Sequence, residues 1–144
     1  MQVPPLTQSV GSAERAMRAL LERNLRDADL SFPAWTVLVL THPSLLSPEQ
    51  IAQRQIGGHI VASADETRQA IGELVTAGLA RASENGMLAH TEKGAVLFEE
   101  LSGSISEITR ALYGDLPGAD LEATHRTLVE IARRANGLLS SSRP

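Results

Sequence analysis

From Ser12 to about Arg26, apolar residues fall at Ala13, Met17, Leu20, Leu21 and Leu25, with Arg and Glu between them. That spacing of three and four puts them on one side of a helix. Residues 1–11 include two adjacent prolines, Pro4 and Pro5, and read as a flexible arm. Phe32-Pro33 opens a second helix, because the missing proline N–H costs nothing in a first turn. Trp35, Leu38 and Val39 give it an inward side, and it ends before His42-Pro43, since proline pushes the preceding residue out of the helical region.

Ser47-Pro48-Glu49-Gln50 is a capping box that starts a third helix. Ile51, Ala52 and Ile56 face inward, and Gly57-Gly58 stops it. Ser63-Ala64-Asp65-Glu66 is a second capping box and opens a fourth helix through Ile71, Leu74 and Val75, with Gly78 as its stop. Two short alternating runs follow, Leu79–Ser83 and Met87–Thr91, around Asn85-Gly86, a strong hairpin signal. Leu97, Leu101, Ile105, Ile108 and Leu112 then form the seam of a long helix. A turn from Gly114 to Gly118 leads to a last helix capped by Asp120, with Leu121, Leu128, Ile131, Ala135 and Leu138 on one side.

Two capped helices joined by a turn and followed at once by a hairpin predict a winged helix-turn-helix. The fold class is therefore mainly α with a small β-hairpin wing. The expected organisation is one domain over residues 12–139, with the winged part at about 32–94 and dimerisation helices at about 12–26 and 95–139. Residues 140–144 are expected to be a flexible tail. The apolar seams of the terminal helices call for something to cover them, most simply a second copy of the chain.

The composition narrows the function. Of the 144 residues, 42% are hydrophobic and 21% charged, which argues against wholesale disorder. Apolar runs such as Val37–Leu40 are far shorter than the roughly 20 residues a membrane helix needs. The first residues lack the basic and apolar regions of a secretory signal, so a cytoplasmic protein is expected. There is no cysteine, which excludes disulfides, thiolate ligands and thiol redox sensing. No grouping has the spacing of a catalytic triad or a glycine-rich phosphate loop, so an enzyme is not expected. His42, His59, His90 and His125 are scattered without the spacing of a helix-borne metal site, and neither metal nor cofactor is expected. The net charge is −4, and residues 47–94 hold four basic against six acidic groups. No stretch is a basic stripe of the kind that drives non-specific phosphate binding.

Four stretches resemble the MarR family of regulators. Phe32-Pro33-Ala34-Trp35-Thr36-Val37-Leu38 is similar to the start of the family's second helix. Ile71-Gly72-Glu73-Leu74-Val75-Thr76-Ala77-Gly78-Leu79-Ala80 is similar to the end of its recognition helix. His90-Thr91-Glu92-Lys93-Gly94, continuing to Phe98-Glu99-Glu100-Leu101, resembles its exit from the wing, and Leu116-Pro117-Gly118-Ala119-Asp120-Leu121 its last turn. The resemblance implies a homodimeric transcriptional regulator whose fourth helix enters the major groove of double-stranded DNA. It also implies a pocket for a small-molecule effector. The sequence departs from the family pattern in two places. The hairpin closes at Glu84-Asn85-Gly86 without a tip arginine, and the turn before the fourth helix is long, running from Gly57 to Ala62.

On the fourth helix, Asp65, Arg68, Gln69, Gly72 and Thr76 share the side opposite Ile71 and Leu74. Arg68 and Gln69 suit readout of guanine and adenine edges, and Ser63 and Thr67 suit phosphate contact at the helix N-terminus. The competing reading is an ordinary solvated helix face, which Asp65 and Glu66 favour because carboxylates there repel phosphate. Arg81, at the base of the wing, either meets backbone phosphate or pairs with Glu84 within the hairpin. Phe32, Trp35 and Val39 are the candidate lining of a mostly aliphatic effector pocket. His125, on the apolar side of the last helix, is either a hydrogen-bonded interface residue or a group titrating near pH 6. The function expected is a ligand-responsive regulator acting as a homodimer on a pseudo-palindromic operator. The alternative is a dimeric ligand-binding or protein-interaction module with little DNA affinity.

Overall fold

The structure is a computed structural model and describes residues 2–141. In chain order the elements are α1 (Leu6–Asp27), α2 (Phe32–Thr41), α3 (Pro48–Gly57), α4 (Ala64–Thr76), β1 (Ala80–Ala82), β2 (Leu88–His90), α5 (Glu92–Tyr113) and α6 (Gly118–Ser141). The chain divides within α5 into two compact units, Met1–Ile105 and Ser106–Pro144.

In the first unit, α1 begins at Leu6, so the part of the expected arm from Leu6 to Gly11 is helix. Leu6 and Val10 extend the three-to-four spacing of Ala13 and Met17, and the two prolines stand just ahead of the first turn, where they do no damage. The core is built by Leu25 of α1, Ala34, Val37 and Leu38 of α2, Ile51 of α3, Leu74 of α4 and Leu88 of β2, joined by Leu101 of α5. Both capping boxes form, with Ser47 and Gln50 opening α3 and Ser63 and Glu66 opening α4.

The long turn between α3 and α4 is tied down. His59 takes a positive φ of 59° and the N–H of Ile60 donates back to the Gln55 carbonyl at 2.9 Å, closing α3 in the manner of a left-handed helix cap. Val61 then turns into the core. Gly78, with φ 76°, ends α4 in the same way, its neighbour Leu79 donating to Leu74 O at 2.9 Å.

β1 and β2 pair antiparallel with Arg81 opposite Ala89. The hairpin signal at Asn85-Gly86 is realised as a three-residue loop. Gly86 N donates to Ser83 O at 2.9 Å, Gly86 alone in the loop has positive φ, and Ser83 N reaches Met87 O at 2.7 Å. That is a type I turn followed by a glycine bulge, rather than a two-residue turn centred on Asn85-Gly86.

In the second unit, α6 starts at Gly118 and places Asp120 in its first turn, not at the cap. Pro117 O accepts from both Asp120 N and Leu121 N at 3.1 Å, the first backbone bonds of the helix. None of the described residues of α6 is buried, and Leu128, Val129, Ile131, Leu138 and Leu139 are exposed apolar side chains on it. Glu130 accepts from Arg133 and Arg134, and those bonds hold its carboxyl down to about 2.

Candidate nucleic-acid interface

Helix α4 is fixed at four places. At its start, Ser63 Oγ accepts from Glu66 N, while Glu66 Oε2 accepts from Ser63 N at 3.3 Å and from Ala62 N. Inward, Thr67 Oγ1 donates to Gln55 Oε1 of α3 at 2.7 Å, and Gln55 Nε2 donates to Pro33 O at 2.9 Å and Thr36 Oγ1 at 2.7 Å on α2. Further along, Glu73 receives both the N–H and the hydroxyl of Ser31, the N-cap of α2. At its end, Thr91 Oγ1 donates to Gly78 O at 2.6 Å and Lys93 Nζ to Ala77 O at 3.0 Å. A cation on the last carbonyls also matches the negative end of the helix dipole. The His-Thr-Glu-Lys-Gly stretch thus has a local physical role: it clamps the C-terminus of α4.

Gly94 belongs to the same clamp. A Cβ there would lie 1.9 Å from Leu79 O, so only glycine lets the start of α5 pass so close to the chain leaving α4.

The outward side of α4 carries Asp65, Arg68, Gln69, Gly72 and Thr76, all exposed. Arg68 and Gln69 therefore stand where the sequence placed them. Arg68 forms an ion pair with Asp65 one turn earlier, which offsets part of the acidic charge at this helix start. Arg81 projects from β1 and is exposed; among the described residues it makes no ion pair, so the alternative pairing with Glu84 is not formed.

Two site expectations change. Thr67 is 0% exposed, and its hydroxyl is spent on Gln55, so it is not a phosphate-contacting residue. Residues 67, 70, 71 and 74 share the inward spacing of α4, and Thr67 belongs with them. Ser63 is exposed but works first as the helix cap. Gln55 was not singled out in the sequence, although it lies on the inward side of α3 with Ile51 and Ala52, where a polar residue signals a buried bond.

The three residues expected to line a pocket meet different fates within the first unit. Phe32 is half-buried with the Arg18 guanidinium 3.9 Å above its ring. Trp35 is buried and stacks on Phe98 with centroids 5.4 Å apart, and Phe98 stacks on His42 at 4.3 Å. Val39 is 42% exposed. Phe98, unremarked in the sequence as a partner of Trp35, is thus the centre of a ring stack.

His90 also lies against Phe98, at 5.7 Å, and its ring is 6.0 Å from that of His42. Its Nε2 is 3.0 Å from Leu38 O; a carbonyl only accepts, so Nε2 carries the proton. Partial burial, with the nearby His42, lowers the pKa of His90 despite that bond.

This arrangement of helices and hairpin is shared with solved regulators. The chain aligns with the reduced form of MarR from E. coli at 16% identity and a TM-score of 0.70, over 90% of this chain and 95% of that one. It aligns with the transcriptional regulator PA3341 at 20% identity and 0.76, over 92% and 98%. For NadR in complex with 4-hydroxyphenylacetate the values are 18% and 0.74, again over 92% and 98%. The fold is that of the MarR-family regulators. No family model and no curated protein matches the sequence. The helices α2, α3 and α4 and the β1–β2 hairpin form the winged part of that fold. No helix of the described residues is long and apolar enough to cross a membrane.

Proposed function

We propose that the protein is a cytoplasmic, non-enzymatic transcriptional regulator that binds a pseudo-palindromic operator as a homodimer and responds to a small-molecule effector. The observation that carries this reading is the mounting of α4. A helix held at both ends and along its inner side presents Arg68 and Gln69 outward in a MarR-type fold, and those side chains offer donors and acceptors suited to base edges. Arg81 supplies a phosphate contact from the wing. A homodimer is supported by the apolar side chains that α1 and α6 leave exposed, among them Val10, Met17, Leu128 and Ile131. The effector reading rests on the likeness to NadR in complex with 4-hydroxyphenylacetate, with Phe32, Trp35 and Val39 kept as the candidate lining from the sequence. An effector would release DNA by favouring a different separation of the two α4 helices.

The second reading, a dimeric module with little DNA affinity, draws on one feature: Asp65 and Glu66 put two carboxylates at the start of α4, and Arg68 is tied to one of them. Fluorescence anisotropy against DNA from the region upstream of the protein's own gene, at several salt concentrations, separates the two. Saturable binding that outcompetes random DNA and weakens linearly with log salt supports the regulator. Absence of binding to that DNA and to a random-sequence pool at low salt overturns it in favour of the module. Sedimentation at micromolar concentration tests the dimer.

A further inference from the structure

Gln55 and Thr67 are both 0% exposed, and neither can touch a nucleic acid. We propose that they are positioning residues: their buried bond sets the angle at which α4 is presented, and so decides which half-site spacing the dimer accepts. The inference rests on the DNA-binding reading above.

The geometry is that of a three-way joint. The Gln55 carboxamide, on α3, gives both its donors to α2, at Pro33 O and Thr36 Oγ1, and its acceptor to α4, at Thr67 Oγ1. Thr36 Oγ1 in turn donates to Pro33 O at 2.8 Å. The main-chain oxygen of Gln55 itself accepts from Ile60 N at 2.9 Å and Val61 N at 3.4 Å, which fixes the turn leading into α4. One residue thereby holds both the approach to α4 and its body.

An apolar contact between helices is non-directional, so small slips change its energy little. Hydrogen bonds fall off steeply with angle, and a slip of α4 against α3 would leave buried polar groups unpaired. A joint of this kind adds little net stability over an apolar one but disfavours alternative placements of the helix. Stability and aim should therefore come apart on mutation.

The test uses the full chain with the near-isosteric double variant Gln55→Leu/Thr67→Val, which removes the partners together and leaves Thr36 bonded to Pro33. Thr67→Ser, which keeps the hydroxyl, is the control. Three quantities are read: the unfolding midpoint, hydrogen exchange of the α4 amides in the free protein, and discrimination between operators whose half-sites are respaced by one base pair. The operator is the one wild type selects from a random duplex pool. Expected for the double variant are a midpoint close to wild type, α4 exchange faster by about tenfold, and spacing discrimination reduced by a similar factor. Thr67→Ser should behave as wild type.

Wild-type α4 exchange in the double variant overturns the proposal, as does a lowered midpoint with exchange raised equally throughout the chain. Should the double variant not fold, Thr67→Val against Thr67→Ser makes the same comparison. If wild type selects no sequence, the DNA-binding reading falls, and α4 exchange alone decides whether the joint fixes the helix.

Discussion

The carboxylate of Glu73 on α4 accepts from both the backbone N–H and the hydroxyl of Ser31, each at 2.9 Å, across 42 residues of sequence. The Ser31 oxygen meanwhile accepts from Ala34 N at 3.2 Å to cap α2. One serine therefore joins the start of α2 to α4. Glu73→Ala should remove both bonds and lower stability by about 1 kcal/mol, a modest figure because the site is open to solvent. Glu73→Gln retains an acceptor for one of them and should cost less. Urea unfolding midpoints at constant slope would show the order wild type, Gln, Ala; equal midpoints for all three would show that the bonds contribute nothing.

Gly94 and Gly103 lie in one helix and should respond to alanine with opposite signs. At Gly94 a methyl group would meet the backbone of Leu79, which cannot swing aside as a flexible side chain would. Gly94→Ala should destabilise by roughly 3 kcal/mol or more, as overpacking against fixed backbone does. At Gly103 nothing lies within 4 Å of the same position, and Gly103→Ala should add about 0.5–1 kcal/mol by restricting the unfolded chain and favouring the helix. Thermal midpoints on the pair settle this; a harmless Gly94→Ala would mean the approach of α5 to Leu79 is looser than the structure has it.

Much of this was legible in the residues because the chemistry is local. Both capping boxes, the proline at the start of α2 and the glycine after α4 act over three or four positions, so their signals survive without knowledge of the fold. What escaped depends on distant partners. Thr67 reads as a surface threonine near a helix start until Gln55, twelve residues earlier, is seen to accept a hydrogen bond from its hydroxyl. His42, His90 and Phe98 gather into one cluster only because α2, the wing and α5 converge, and no spacing in the sequence announces that. The start of α1 was hidden for a different reason: the prolines at 4 and 5 looked like a break, when proline ahead of a helix is compatible with its first turn.

His90 makes stability fall with acid. Its burial favours the neutral ring, so its pKa in the folded protein is lowered from 6.5, and the unfolded chain binds the proton first. The stability tied to this residue is therefore complete above about pH 6.5 and is lost as the pH falls from there through the folded-state value. His90→Gln keeps an N–H for Leu38 O but does not titrate, so the fall in unfolding free energy between pH 7 and 5 should be shallower than in wild type. Parallel pH profiles for the two proteins would show that another group is responsible.

Arg68 is the outward side chain best suited to a guanine on the DNA-binding reading, and it pairs with Asp65 while both side chains stay exposed. Arg68→Ala should weaken binding to the selected operator by about 1–3 kcal/mol while barely changing affinity for random DNA, because a base contact is lost and a phosphate contact is not. Anisotropy titrations on both duplexes give the two numbers. An equal loss on each would reassign Arg68 to the backbone.

Arg81 should behave in the opposite way. It projects from β1 at the base of a wing whose tip has Glu84 and no arginine, and no carboxylate among the described residues neutralises it. On the DNA-binding reading proposed above, Arg81 meets backbone phosphate, which carries no sequence information. Arg81→Ala should then weaken binding to operator and random DNA by the same factor. It should also reduce the slope of log affinity against log salt by about 1, the release of counterions from a single phosphate. Wild-type slope in the variant, with affinity unchanged on both duplexes, would mean that the wing stands clear of the backbone and that α4 engages DNA alone.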